Sequence, residues 1–265
     1  MLQYYQILIG GTSTVKIIAN IPGFSVIARG LLKVRKYNHL IDDARAAGEL
    51  EKEQQYIKEA VYDFSSYVSE SLDLSFNVIH PENLPQSGPA VYIANHQSYA
   101  DILAFMCCVR NHQLAYIAKD TLEKIPVFGK WVKRIRGIFI HRGDARASLA
   151  TINEGADYLK QGFSLVIFPE GTRSHGGQMA AFKPGSFKLA TKARVPIVPI
   201  SLNRGYHIFE DQGVLTKHHS MEFLVHPPIE TAGMDRHQLA ELPQQVEDIV
   251  RQGLEELQRQ ETNHE

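Results

Sequence analysis

Six apolar runs of strand length punctuate this chain, and they constrain its fold more than any other feature. They are AVYIA (90 to 94), LAYIA (114 to 118), GIFI (137 to 140), SLVIF (164 to 168), PIVPISL (196 to 202) and MEFLV (221 to 225). Such short, unbroken runs suit strands buried on both faces. SFNVIH (75 to 80) adds a short alternating strand, followed by the turn-rich loop PENLPQSGP. Helical patterns lie between several runs, at about 99 to 110, 127 to 135, 144 to 161 and 184 to 193. Alternating strands and helices predict one α/β domain: a mixed, mostly parallel sheet of about seven strands flanked by helices. Pro196 and Pro199 would each remove a ladder donor, so their strand is expected at an edge or to be irregular.

The flanks read as helical. From about residue 40 to 72, Leu50, Ile57, Val61, Phe64 and Val68 recur at helical spacing. A last amphipathic helix is expected over about 235 to 260, with Leu239, Leu242, Val246, Ile249, Val250, Leu254 and Leu257 on one side. The expected division is therefore an N-terminal helical segment, 1–73, and an α/β domain with its C-terminal helix, 74–265. The length of 265 residues and a hydrophobic content of 44% suffice for a large core.

Net charge is −1, which argues against a nucleic-acid partner held by bulk charge. Its distribution is uneven. Residues 1 to 41 contain no Asp or Glu, and carry Lys16, Arg29, Lys33, Arg35 and Lys36 among apolar residues such as Ile18, Ile21, Ile27 and Leu32. Apolar anchors with a basic fringe suit the surface of an anionic bilayer. A packed helix pair with a solvated basic edge would read the same way. No run of eighteen apolar residues occurs, so peripheral or monotopic association is expected rather than a span. Adjacent Cys107 and Cys108 match neither a disulfide nor a metal spacing and point to a reduced, cytoplasmic setting.

Several strand runs end in polar residues: Asn95 and His96, Lys119, His141 and Arg142, and Glu170. If the strands are parallel, these ends share one edge of the sheet, where ligands bind in open α/β folds. ANHQSYADI sets Asp101 five residues after His96. On one helix that is about 140° of rotation, too far to share a face. A turn at 95 to 97 with Ser98 as helix cap could fold Asp101 back onto the imidazole as a general-base dyad. The competing reading is a capping box in which Asp101 serves backbone amides alone. FPEGTRS supplies Glu170, a tight turn at Gly171, the Thr172 and Ser174 hydroxyls and the forked cation Arg173. A polar surface turn has the same composition. FKPGSF adds Lys183. GxSxG, a Gly-rich phosphate loop and HExxH do not occur, and the other histidines fit no metal spacing, so no metal is expected.

Taken together, NHQSYAD, GIFIHR, FPEGTRS and VPIVPISL resemble, in order, the four motifs of the glycerolipid acyltransferases, the lysophosphatidic acid acyltransferase (PlsC-like) family. The resemblance covers residues 95 to 202, and ENLP extends it to about 80. It implies transfer of a fatty acyl group from acyl-CoA or acyl-carrier protein, as co-substrate and without a further cofactor, to the sn-2 hydroxyl of 1-acylglycerol-3-phosphate, giving phosphatidic acid. His96 would be the base and Asp101 its orienting partner. Asn95, Glu170, Gly171, Thr172, Arg173 and Lys183 would belong to the substrate-binding set, with Arg142 on the acceptor phosphate and Lys119 near the thioester. His141 departs from the small polar or acidic residue common at that place, which leaves the acceptor open. Another lysolipid or an amino-acid lipid is an alternative acceptor, and a non-catalytic lipid-binding module on the same fold is the contrasting reading.

Overall fold

The computed structural model describes residues 14–140, 145–174 and 178–262. His141 and Arg142, singled out above, lie outside the described residues. Helices α1 (Thr14–Lys33), α2 (Tyr37–Ala46) and α3 (Leu50–Leu72) precede strand β1 (Leu74–Ile79). Strand β2 (Val91–Ala94), α4 (Ala100–Cys108), β3 (Leu114–Lys119), α5 (Phe128–Arg134) and β4 (Ile138–Ile140) follow. Then come α6 (Ala145–Lys160), β5 (Ser164–Ile167), α7 (Lys188–Ala193), β6 (Ile197–Asn203), α8 (Tyr206–Phe209), β7 (His219–Val225) and α9 (Arg236–Thr262).

The strands form one seven-stranded sheet in the order β1-β7-β6-β2-β5-β3-β4. Strands β6, β2, β5, β3 and β4 are parallel; β7 pairs antiparallel with β6 and parallel with β1. This is the expected mixed, mostly parallel α/β sheet. Alternate residues of the central strands serve opposite faces. Tyr92, Tyr116, Val166, Val198 and Leu202 pack with Ile57, Phe64 and Val68 of α3 and Phe105 of α4. Val91, Ile93, Leu165, Ile167 and Ile197 pack with Leu159 of α6, Leu189 of α7 and Leu242, Val246 and Val250 of α9. Helix α3, from the N-terminal segment, thus shares a core with the sheet.

Two expectations need correction. The helix expected over 40 to 72 is two helices. Gly48, at φ +71°, breaks it. The Gly48 and Glu49 amides turn back to the carbonyls of Arg45 and Ala44, closing α2 in a glycine-terminated turn. Strand β6 is interior and regular, despite Pro199. Its odd residues face the β7 side: Ile197 exchanges hydrogen bonds with Ile229, and the His226 amide donates to the Pro199 carbonyl. Antiparallel pairing with β7 starts only at Ile200↔Val225. The amide that proline lacks therefore faces a stretch where β7 has already ended, and the β2 ladder is untouched.

Helix α1 lies along the body with Asn20, Gly23 and Gly30 turned inward. The Asn20 amide donates to the Gly213 carbonyl, and its oxygen accepts from the Leu215 amide, both at 2.8 Å. A side chain at position 23 would collide with Leu215. Ile18, Ile21 and Leu32 remain exposed. Among the described residues, no helix is long and apolar enough to cross a membrane.

Candidate active site

Because β2 and β5 are parallel neighbours, the loops leaving their C-terminal ends meet. Strand β2 leads to His96 and α4; β5 leads to Phe168 and the turn at Gly171. The second loop grips the backbone of His96 at both ends. Glu170 Oε1 accepts from the His96 amide at 2.6 Å, and the Ser174 amide donates to the His96 carbonyl at 2.8 Å. The imidazole stacks on Phe168, with ring centroids 4.1 Å apart and planes 18° apart.

The side chain of Asp101 completes the grip. Its Oδ2 lies 2.8 Å from Nδ1 of His96. The same oxygen accepts from the amides of Gln97 at 2.7 Å and Ser98 at 2.8 Å. The Ser98 hydroxyl accepts from the Ala100 amide at 3.0 Å, closing the turn that enters α4. Dyad and cap are therefore not alternatives: one carboxylate oxygen does both. Asp101 is fully buried, whereas the His96 side chain keeps 15% of its surface. An acceptor on Nδ1 selects the tautomer whose proton sits there, so Nε2 carries the lone pair and is the basic position.

Each remaining candidate has a definite place. Asn95 is buried. Its amide donates to the Leu202 carbonyl at 2.9 Å and its oxygen accepts from the Leu202 amide at 2.8 Å, extending the β2–β6 ladder past the end of β2. Glu170 also turns inward. Its second oxygen accepts from the Ala180 amide at 2.8 Å, so the carboxylate braces the loop. Burial raises its pKa, and the two backbone donors oppose that only in part. Gly171, at φ +69°, makes the turn. A Cβ there would stand 2.5 Å from Nζ of Lys183, so Lys183 lies directly over it. Thr172 and Lys183 are exposed. Lys119 is exposed at the end of β3, two strands from β2, roughly 10 Å along the edge at standard strand spacing. Arg173 is already paired: Nη1 donates to Glu210 Oε1 at 2.5 Å, and the guanidinium lies 3.9 Å over the Tyr99 ring.

Sequence patterns missed three members of this site. Phe168 sits inside a quoted motif, but its partner is a histidine far away in sequence. Gly205 and Glu210 belong to no recognised pattern. A Cβ on Gly205 would stand 2.6 Å from Oδ1 of Asp101, so this glycine lets β6 run its exit against the buried carboxylate.

A family model described as Acyltransferase matches residues 75–203. The 1-acyl-sn-glycerol-3-phosphate acyltransferase of Escherichia coli (strain K12) is 30% identical over 183 residues, which cover 68% of this chain and 73% of that relative. The chain belongs to this acyltransferase family. The chloroplastic 1-acyl-sn-glycerol-3-phosphate acyltransferase BAT2 of Brassica napus is 36% identical over 152 residues, 56% of this chain. The chain spans 43% of that relative's length and 45% of its counterpart LPAT1 from Arabidopsis thaliana. Among solved structures, the 1-acyl-sn-glycerophosphate acyltransferase PlsC of Thermotoga maritima superposes with a TM-score of 0.68 at 28% identity, covering 86% of this chain and 95% of that one. The acyltransferase match begins at β1 and ends with β6, so Gly205 and Glu210 lie just beyond it.

Proposed function

We propose that this chain transfers a fatty acyl group from a thioester, acyl-CoA or acyl-carrier protein, to the sn-2 hydroxyl of 1-acylglycerol-3-phosphate, giving phosphatidic acid. The observation that carries the proposal is the His96–Asp101 pair at 2.8 Å, with Asp101 fully buried and Nε2 left for substrate. Nε2 removes the acceptor proton as the hydroxyl oxygen attacks the thioester carbonyl. The tetrahedral intermediate expels the thiolate, which takes up a proton. A thioester is already activated, so the lack of a nucleophile elbow fits direct transfer. A positioned base of this kind contributes about 10²–10⁴-fold. Arg173, Lys183 and Lys119 stand on the same rim as cations for the acceptor phosphate or the developing oxyanion; Arg142 would join them by motif correspondence.

The test is transfer from a labelled thioester to lysophosphatidic acid, beside other lysolipids and amino-acid lipids, by wild type and His96→Ala. Wild type should make phosphatidic acid, and the variant at least about 100-fold less. Equal product from both would remove His96 from the mechanism. No transfer to any acceptor would favour a lipid-binding module.

The same reading places the protein on a membrane, at its cytoplasmic face. Support comes from exposed Ile18, Ile21 and Leu32 on α1, close to Arg29 and Lys33. Each cation near an anionic surface contributes about 1 kcal/mol. Deleting residues 1 to 36 should reduce co-sedimentation with phosphatidylserine-containing vesicles. Unchanged co-sedimentation would assign the anchor elsewhere.

A further inference from the structure

Arg173 is the cation on the rim whose orientation is most tightly fixed, and the residue that fixes it lies outside every motif. Strand β6 ends at Asn203, and the chain turns through Gly205 and α8 to Glu210. The Glu210 side chain is only 2% exposed. Its Oε1 accepts from Nη1 of Arg173 at 2.5 Å and from the backbone amide of Tyr99 at 3.2 Å. Tyr99 in turn lies beneath the guanidinium, 3.9 Å from ring centroid to Cζ. Arg173 is thus held at one edge by a carboxylate and on one face by an aromatic ring. Among the described residues Glu210 is its one hydrogen-bonding acceptor. The opposite edge of the fork keeps its donors for a ligand, in the geometry that suits phosphate.

A buried glutamate–arginine pair can be pure scaffolding, but the location argues for more. Ser174, next to Arg173, bonds the His96 carbonyl, and Tyr99 precedes the helix that carries Asp101. A shift of Arg173 would therefore change the acceptor's place relative to Nε2 without touching the dyad. Resting on the acyltransferase reading, we infer that Glu210 is a positioning residue: it sets Arg173 so that the free edge of the guanidinium receives the acceptor phosphate. Ordering the arginine before binding removes an entropic penalty that the phosphate would otherwise have to overcome.

The experiment compares wild type with Glu210→Ala, Glu210→Gln, Arg173→Ala and the double variant Arg173→Ala/Glu210→Ala in transfer to lysophosphatidic acid. Glu210→Ala should raise the acceptor KM about tenfold, with the thioester KM unchanged. Glu210→Gln keeps an oxygen for Nη1 and for the Tyr99 amide and should restore most of the loss. The double variant should match Arg173→Ala, since Glu210 acts through Arg173. Fully additive losses, or a lower acceptor KM in Glu210→Ala, would overturn the proposal. Relaxation of the Arg173 Nε–H group, assigned by its loss in Arg173→Lys, needs no turnover. It should report an ordered side chain in wild type and a mobile one in Glu210→Ala; equal order in both would refute positioning. If wild type transfers nothing while Arg173 loosens in Glu210→Ala, the acyltransferase reading fails and the positioning stands.

Discussion

The backbone amide of His96 donates to the carboxylate of Glu170 at 2.6 Å, joining residues 74 apart in sequence. The proposed base is therefore seated by the neighbouring loop as well as by its own. Glu170 has a raised pKa, first because it is buried. A carboxyl whose folded pKa is raised contributes its full stability below the unfolded value, and loses it as pH rises through the folded one. Glu170→Gln does not titrate. The thermal midpoint of wild type relative to Glu170→Gln should fall as pH rises from about 4 through that raised pKa. Melting curves at several pH values check this; a constant difference would sink it.

One oxygen of Asp101 holds both the His96 imidazole and the turn that leads into α4. Asp101→Asn keeps an acceptor but removes the charge that favours an imidazolium. Its kcat should drop about 10²-fold or more, with the fold intact by thermal melting. Asp101→Ala leaves the Gln97 and Ser98 amides without an acceptor, and should in addition lose about 2–3 kcal/mol of stability.

Gly205 tests the back of the same carboxylate. Its backbone is helical, at φ −58°, so alanine carries no conformational strain. The added methyl would stand 2.6 Å from Asp101 Oδ1 and 2.9 Å from Met221. Gly205→Ala should cost about 1–3 kcal/mol in denaturant titration, and lower kcat by turning the carboxylate away from Nδ1. Full activity with a lowered midpoint would show that Met221 alone moves.

The part-buried pair Ser201–His226 resembles a second dyad but is not one. The Ser201 hydroxyl donates to the Val250 carbonyl at 2.9 Å, so His226 Nε2, 2.8 Å away, must be the donor to it. Burial, helped by His80, lowers the His226 pKa to about 4. A histidine kept neutral by folding contributes stability above its unfolded pKa and loses it as pH falls. The unfolding free energy from denaturant titration should decline between about pH 6.5 and about pH 4, by up to roughly 3 kcal/mol. His226→Gln should decline less over that window.

What the sequence made legible was local. Runs such as AVYIA and SLVIF disclosed their strands because burial on both faces demands unbroken apolar residues. His96 and Asp101 were legible because a strand, a turn and a helix start hold them together. The roles of Asn95 and Glu170 were not, since residue type does not say which way a side chain turns. Both face inward, Asn95 to the Leu202 backbone 107 residues on and Glu170 to the His96 amide 74 residues back. Pro199 misled for the same reason: its effect depends on where β7 ends. Gly205 and Glu210 reach the site only because β6 lies beside β2, a neighbour relation that no local pattern encodes.

Asn95 pairs with Leu202 across 107 residues, on the strand that follows all the others at the site. During synthesis β2 and α4 leave the ribosome long before β6 does. Contacts so distant in sequence form late, after the loop between them has closed. The turn that carries His96 therefore waits for β6 before it is fixed. A nascent chain stalled short of residue 202 would hold the dyad and both loops that grip it, yet lack the Leu202 backbone that fixes Asn95, the residue before His96.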